Sequence, residues 1–202
     1  MNRTVTTFAS LAFVALIGGI LLTSTKNPAQ TLPVLGAVGE FRLVDQHGRE
    51  ATGRELLGSV WVADFIFTKC AGPCPVLTTQ MSMLVNTLPA EVRYVSFSVD
   101  PERDTPEVLR KYAEAYGADK RWTFLTGEWP EIDRLVRNQF KLTARRQTDP
   151  QPGFEVLHDL RFALVDKRGR IRGYYIASNG DYEPQPEELK KLQQDVAALL
   201  KE

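Results

Sequence analysis

The spacing of apolar and polar positions changes period several times between Phe41 and Leu200, and each change marks a new element. FRLVDQHGRE (41–50) reads as a strand and turn, and Thr52-Gly-Arg-Glu55 has the capping-box spacing that opens a short helix. VWVADFIF (60–67) is apolar at every position but Asp64, the pattern of a central strand covered on both faces. From Pro75 to Thr87 the period becomes helical, with Leu77, Met81, Leu84, Val85 and then Leu88 on one side. VRYVSFSV (92–99) predicts the next strand. Thr105 as N-cap, Pro106 in the first turn and Gly117 past the end frame a helix over EVLRKYAEAY. RWTFLT (121–126) predicts a third strand, PEIDRLVRNQF (130–140) a helix, and Ala144–Phe154 a Pro- and Gly-bearing loop. RFALVD, the turn KRGR and IRGYYIA form a β-hairpin, and Pro186–Leu200 closes the chain as a helix with Leu189, Leu192, Val196 and Leu199 on one face. Strands alternating with helices predict an α/β domain: a thioredoxin-like fold whose mixed, mostly parallel sheet is flanked by helices, with the terminal hairpin as an antiparallel edge.

The first residues break this pattern. Val5–Leu22 is an uncharged run of 18 positions preceded only by Arg3. That is the form of a secretory signal or, the favoured reading, an uncleaved signal anchor with its N-terminus inside, at the lower limit of what spans ~30 Å of hydrocarbon, so the rest of the chain is expected to be exported. Residues 1–33 therefore read as anchor and linker, and 34–202 as one domain. The whole chain of 202 residues balances 25 Lys+Arg against 25 Asp+Glu, and residues 31–202 carry 23 bases against 25 acids. No basic field exists to grip a phosphate backbone, which argues against nucleic acid as a partner. A hydrophobic content of 43% excludes a disordered chain, and two cysteines are too few for a disulfide scaffold.

Those two cysteines, Cys70 and Cys74, carry the chemistry. They stand in Cys-Ala-Gly-Pro-Cys-Pro between a buried strand and a helix. Pro75 suits the first helical turn, so Cys74 falls at or next to the N-cap, where free N–H groups favour a thiolate, and Lys69 adds a positive charge. A purely stabilising disulfide is the plainer reading, but closing so short a loop gains only about 2 kcal/mol. His158 enters the strand RFALVD from a loop, and loops at strand ends carry sites. Two thiolates and an imidazole form a soft set suited to Cu(I) and able to hold Cu(II), although a lone histidine 84 residues away also reads as an ordinary surface or core group. His47 reads as a solvated turn residue, and Trp61, Trp122 and Trp129 as core or edge packing. Asp100-Pro-Glu-Arg-Asp-Thr105 lies where α/β sheets bind ligands and equally reads as a helix cap.

FIFTKCAGPCP, VSFSVDPERDTPEVL, WTFLTG and HDLRFALVD with Gly169 following, in that order between about Glu40 and Leu200, closely resemble the SCO/SenC family. The resemblance implies a thioredoxin-like domain held on the membrane and facing the bacterial periplasm. It also implies copper, Cu(I) or Cu(II), bound by Cys70, Cys74 and His158, and delivered to the dinuclear copper centre of cytochrome c oxidase. The partner would then be the oxidase copper-site subunit or another periplasmic copper client. Two positions depart from the family: the spacer is Ala-Gly-Pro where many members carry an acidic or bulkier residue, and Asp159 stands where a small hydroxyl residue is frequent. The alternative is a thiol–disulfide oxidoreductase that uses Cys70 and Cys74 on the cysteines of a periplasmic client. The Cys-x-x-x-Cys spacing, one residue longer than the redox motif, favours metal.

Overall fold

A computed structural model describes residues 31–202, so the anchor expected at Val5–Leu22 lies outside the described residues. Among the described residues no helix is long and apolar enough to cross a membrane. The strands are β1 (Gly36–Ala37), β2 (Arg42–Asp45), β3 (Glu50–Thr52), β4 (Trp61–Ile66), β5 (Arg93–Ser98), β6 (Trp122–Thr126), β7 (Ala144–Arg146), β8 (Val156–His158), β9 (Arg161–Val165) and β10 (Arg170–Ile176). The helices are α1 (Cys74–Thr87), α2 (Pro106–Ala115), α3 (Trp129–Arg134) and α4 (Pro186–Leu200). Eight strands form one sheet in the order β1-β10-β9-β4-β5-β6-β2-β3, while β7 and β8 pair apart from it.

The chain is α/β and mixed, but only β4–β5 and β5–β6 run parallel; the remaining neighbours in the large sheet are antiparallel. The expectation of a mostly parallel sheet is corrected by the connections. A parallel neighbour needs a crossover, and only α1 and α2 supply one between adjacent strands. The 161–176 hairpin forms as read, yet it is not the sheet edge, because β1 pairs with β10. Ala144–Phe154 is not wholly loop, since Ala144–Arg146 pairs with Val156–His158. The helix over 130–140 loosens after Arg134 into a wider turn, Leu135–Gln139.

β4 is buried at all six positions. Its alternation sends Trp61 and Phe65 to one face, where Phe65 stacks on Phe97 at 5.3 Å between centroids and both meet the Phe140 ring. Val62, Asp64 and Ile66 point to the other face. Helix α1 packs on β4, α2 on β6 and α4 on β10. Thr105 caps α2 by accepting the Val108 N–H, and Gly117 takes the left-handed φ of 69° that ends it. The C-terminal end of β4 thus leads straight from the buried core into the cysteine loop.

Candidate metal centre

The loop 67–73 is tied down before it reaches the helix. Asp104, fully buried, accepts hydrogen bonds from the Thr68 N–H (3.1 Å), the Thr68 hydroxyl (2.5 Å) and the Ser98 hydroxyl (2.6 Å). The acidic run after β5 therefore braces the cysteine loop as well as capping α2. Asp100 in the same run holds Arg103 at 2.8 Å. Pro73 is the N-cap of α1 and Cys74 its first residue, so Cys74 lies next to the cap as the sequence indicated.

Cys70, Cys74 and His158 come together. Their Sγ and ring nitrogen atoms all lie within 4.8 Å of one another, and both thiols are free. His158 is 7% exposed, with its ring edge-on to Phe67. It sits on β8 rather than on a loop, and that strand turns the imidazole inward. Nδ1 lies 3.0 Å from the Asp159 carbonyl oxygen. A carbonyl only accepts, so Nδ1 carries the proton and Nε2 presents a lone pair, 3.1 Å from Cys74 Sγ. The Asp159 carboxylate is occupied by Arg161, with two contacts of 2.7 Å, and so stays out of the cluster.

The N-cap placement favours a thiolate at Cys74, but the two thiols ionise unequally and the thiolate is Cys70. Cys70, half-buried, is held well below the usual thiol range, first by the hydrogen bond from the Cys74 thiol and then by the adjoining His158 ring and the Cys74 and Gly72 N–H groups, against the opposing effect of burial. Those bonds, more than the charge of Lys69, hold it there. Cys74 is pushed up by burial and then by the neighbouring Cys70. The start of α1 thus stabilises the thiolate that hangs over it, and the cysteine at its own first position keeps its proton. Beneath the cluster, Asp64 is fully buried with neither carboxylate oxygen hydrogen-bonded. Burial raises its pKa to about 7, opposed only partly by its polar neighbours Ser96 and His158. Asp64 was not singled out as a site residue from sequence, where its one signal was an acid inside an otherwise apolar strand, whereas Asp104 lay within the flagged run 100–105 with no bracing role assigned to it. His47 is exposed in its turn, Trp61 and Trp122 are core, and Trp129 is half-buried under Arg146.

The SCO1/SenC family model matches residues 30–194. An SCO1 protein homolog of Bacillus subtilis is 37% identical over 157 residues, spanning 75% of this chain and 80% of that protein. Among solved structures, BsSco, a member of the Sco family of cytochrome c oxidase assembly proteins in which a disulfide switch was identified, is 33% identical with a TM-score of 0.68, covering 84% of this chain and 99% of that one. Bradyrhizobium japonicum ScoI with copper bound is 25% identical with a TM-score of 0.65, covering 81% and 99%.

Proposed function

This chain belongs to the SCO1/SenC family, and on that premise we propose that it binds one copper ion through Cys70, Cys74 and His158 and hands it to the dinuclear copper centre of cytochrome c oxidase. The fold is the thioredoxin-like fold of the Sco proteins. The observation that carries the reading is the meeting of two sulfurs and one imidazole nitrogen within 4.8 Å, a soft donor set that suits copper and leaves coordination open for exchange. Each residue has a part. Cys70 offers a sulfur already ionised, Cys74 gives up its proton as metal enters, and His158 presents Nε2 because its other nitrogen is bound to the Asp159 carbonyl. Copper supplies no bond-making chemistry here; it is the cargo. The uncharged run Val5–Leu22 after Arg3 supports a membrane tether, with residues 34–202 as the copper-binding domain on the periplasmic side and the oxidase copper-site subunit as its client.

A second reading has its own support. A half-exposed, ionised Cys70 beside a buried, protonated Cys74 is also the pairing of an attacking and a resolving thiol, as in a thiol–disulfide oxidoreductase acting on a client's cysteines. One variant separates the two. His158→Ala is expected to weaken Cu(II) binding about tenfold or more and to remove its sulfur-to-copper absorption, with a smaller effect on Cu(I), because Cu(II) prefers mixed nitrogen and sulfur ligands. Disulfide exchange by Cys70 and Cys74 should change little. Unchanged copper binding in both oxidation states would discard the ligand set and leave the oxidoreductase.

A further inference from the structure

We infer that Phe154 and Tyr182 form an aromatic cap over the cysteine loop that sorts by size which ligands reach a metal at Cys70, and that Gly72 is what lets the cap close. The inference rests on the copper reading above and gives the two rings a place in it as specificity-determining residues.

Gly72 is the middle residue of the Ala-Gly-Pro spacer, and its missing side chain has a use. A Cβ on Gly72 would lie 3.1 Å from Tyr182 Cζ, 3.2 Å from Phe154 Cε1 and 3.3 Å from the Tyr182 hydroxyl. Contacts that short would make the rings give by a few tenths of an ångström, so both rings rest directly on the backbone of the Cys-Ala-Gly-Pro-Cys loop. They arrive from separate connections, Phe154 from between β7 and β8 and Tyr182 from between β10 and α4. Both connections are held in place. Tyr182 takes a left-handed φ of 63°, with its N–H bonded to the Asn179 carbonyl, while Asn179 Oδ1 accepts from the Asp181 and Glu183 N–H groups. Gly153, next to Phe154, accepts the Ala71 N–H at 3.0 Å.

Despite these anchors the rings stay 37% and 41% exposed, so their outer edges face solvent. Beneath them is a cavity of about 90 Å³ that also has Cys70, Pro73, Leu157 and His158 in its walls. Against the ~150 Å³ of an apolar cavity that takes benzene, this cleft has room for a single slender side chain and not for a fused-ring chelator. Its aromatic walls favour sulfur. The ligand it fits is one thiolate or thioether side chain, offered by the protein that gives or takes the metal.

The test compares a small and a bulky reagent on the same site. On the reduced, metal-free protein these are iodoacetamide and a pyrenyl maleimide, and on the Cu(I)-loaded protein cyanide and a disulfonated phenanthroline. In the double variant Phe154→Ala/Tyr182→Ala the bulky-to-small rate ratio is expected to rise about tenfold in both forms, with the small-reagent rate within about twofold, because access rather than thiolate character changes. Gly72→Val should move the ratio in the same direction by lifting the rings. A ratio that stays put in the double variant overturns the inference, as does an equal rise for both reagents, which is what a merely loosened loop would give. The double variant decides if Gly72→Val does not fold. Copper stoichiometry of the unaltered chain is read alongside: a shifted ratio without bound copper leaves the cap and removes the copper reading, while stoichiometric copper with a fixed ratio does the reverse.

Discussion

The hairpins β7–β8 and β9–β10 are separated by only Asp159 and Leu160, yet they are held by different physics. β9–β10 lies within the large sheet, and Phe162, Ala163, Leu164, Val165 and Ile171 are fully buried. Its turn is fixed by Asp166, whose Oδ1 accepts the Arg168 and Arg170 N–H groups, and by Gly169 at φ 73°. Arg172, 3% exposed, then joins Asp166, Glu202 and the Leu32 and Pro33 carbonyls. β7–β8 has three-residue strands outside that sheet, with Ala144, Val156 and His158 buried and Leu157 exposed. Its ties are the Ala71–Gly153 hydrogen bond, an Arg146–Glu102 pair at 2.7 Å, an Arg103–Glu155 approach of 3.8 Å and Arg146 over the Trp129 ring. The proposed ligand His158 therefore sits on the weaker hairpin. Ligand-binding segments are drawn from the low-stability end of a fold, and under the proposed copper transfer a histidine on a support that yields would release its metal more readily.

The comparison is most exposed at Arg172. Arg172→Ala removes one of the two guanidinium partners of buried Asp166, leaving Arg170, together with the bonds to Glu202 and the Leu32 and Pro33 carbonyls; it should cost about 3 kcal/mol, read as a fall of roughly 10 °C in Tm, with copper stoichiometry retained in the surviving folded protein. A loss below about 1 kcal/mol would erase the distinction between the hairpins. The same variant has a pH signature. Burial pushes the Asp166 carboxyl up, but hydrogen bonds from Arg170 and Arg172 outweigh it and leave the pKa below its ordinary 3.8. A depressed folded-state pKa gives stability that is present above the unfolded value and disappears as pH falls through the folded one. The stability gap between the unaltered chain and Arg172→Ala, followed by urea unfolding, should thus narrow below pH 3.8.

Gly153→Ala should give the intermediate effect and the opposite pattern. Gly153 has φ 87°, and a Cβ there would collide with Ala71 Cβ and lie 2.9 Å from Ala71 N. The cost is about 1–3 kcal/mol of stability, accompanied by about tenfold weaker copper binding in a competition titration, because the hairpin carrying His158 is pushed off the cysteine loop. Lost stability with unchanged affinity would make this hairpin structural like its neighbour. The smallest effect belongs to Arg146→Ala, which removes an exposed ion pair and a cation–π contact: under about 1 kcal/mol by urea unfolding. A loss of about 2 kcal/mol or more would mean that β7–β8 is clamped as firmly as β9–β10.

Local pattern made much of this legible. The all-apolar run around Asp64, the Thr105-Pro106 start and Gly117 stop of α2, and the one-sided leucines of α4 are each decided within a few residues, by backbone preference and side-chain period. The β7–β8 pairing escaped because Ala-Arg-Arg and Val-Leu-His are too short and too polar to show a period. Strand direction escaped at the flanks, since it depends on which distant strand arrives as neighbour.

By itself the sequence determined the central strands and the main helices, the position of the cysteine pair between a buried strand and a helix, and, through its family motifs, the three side chains to watch. Only the tertiary structure decided that His158, 84 residues from Cys74, turns Nε2 toward it, that Asp104 braces the cysteine loop, and that Cys70 rather than Cys74 is the thiolate. The reason is that ionisation follows burial and the aim of a few N–H groups. Adjacency in the chain puts Cys74 on the helix start, but only packing sinks it and leaves Cys70 above it to receive those bonds.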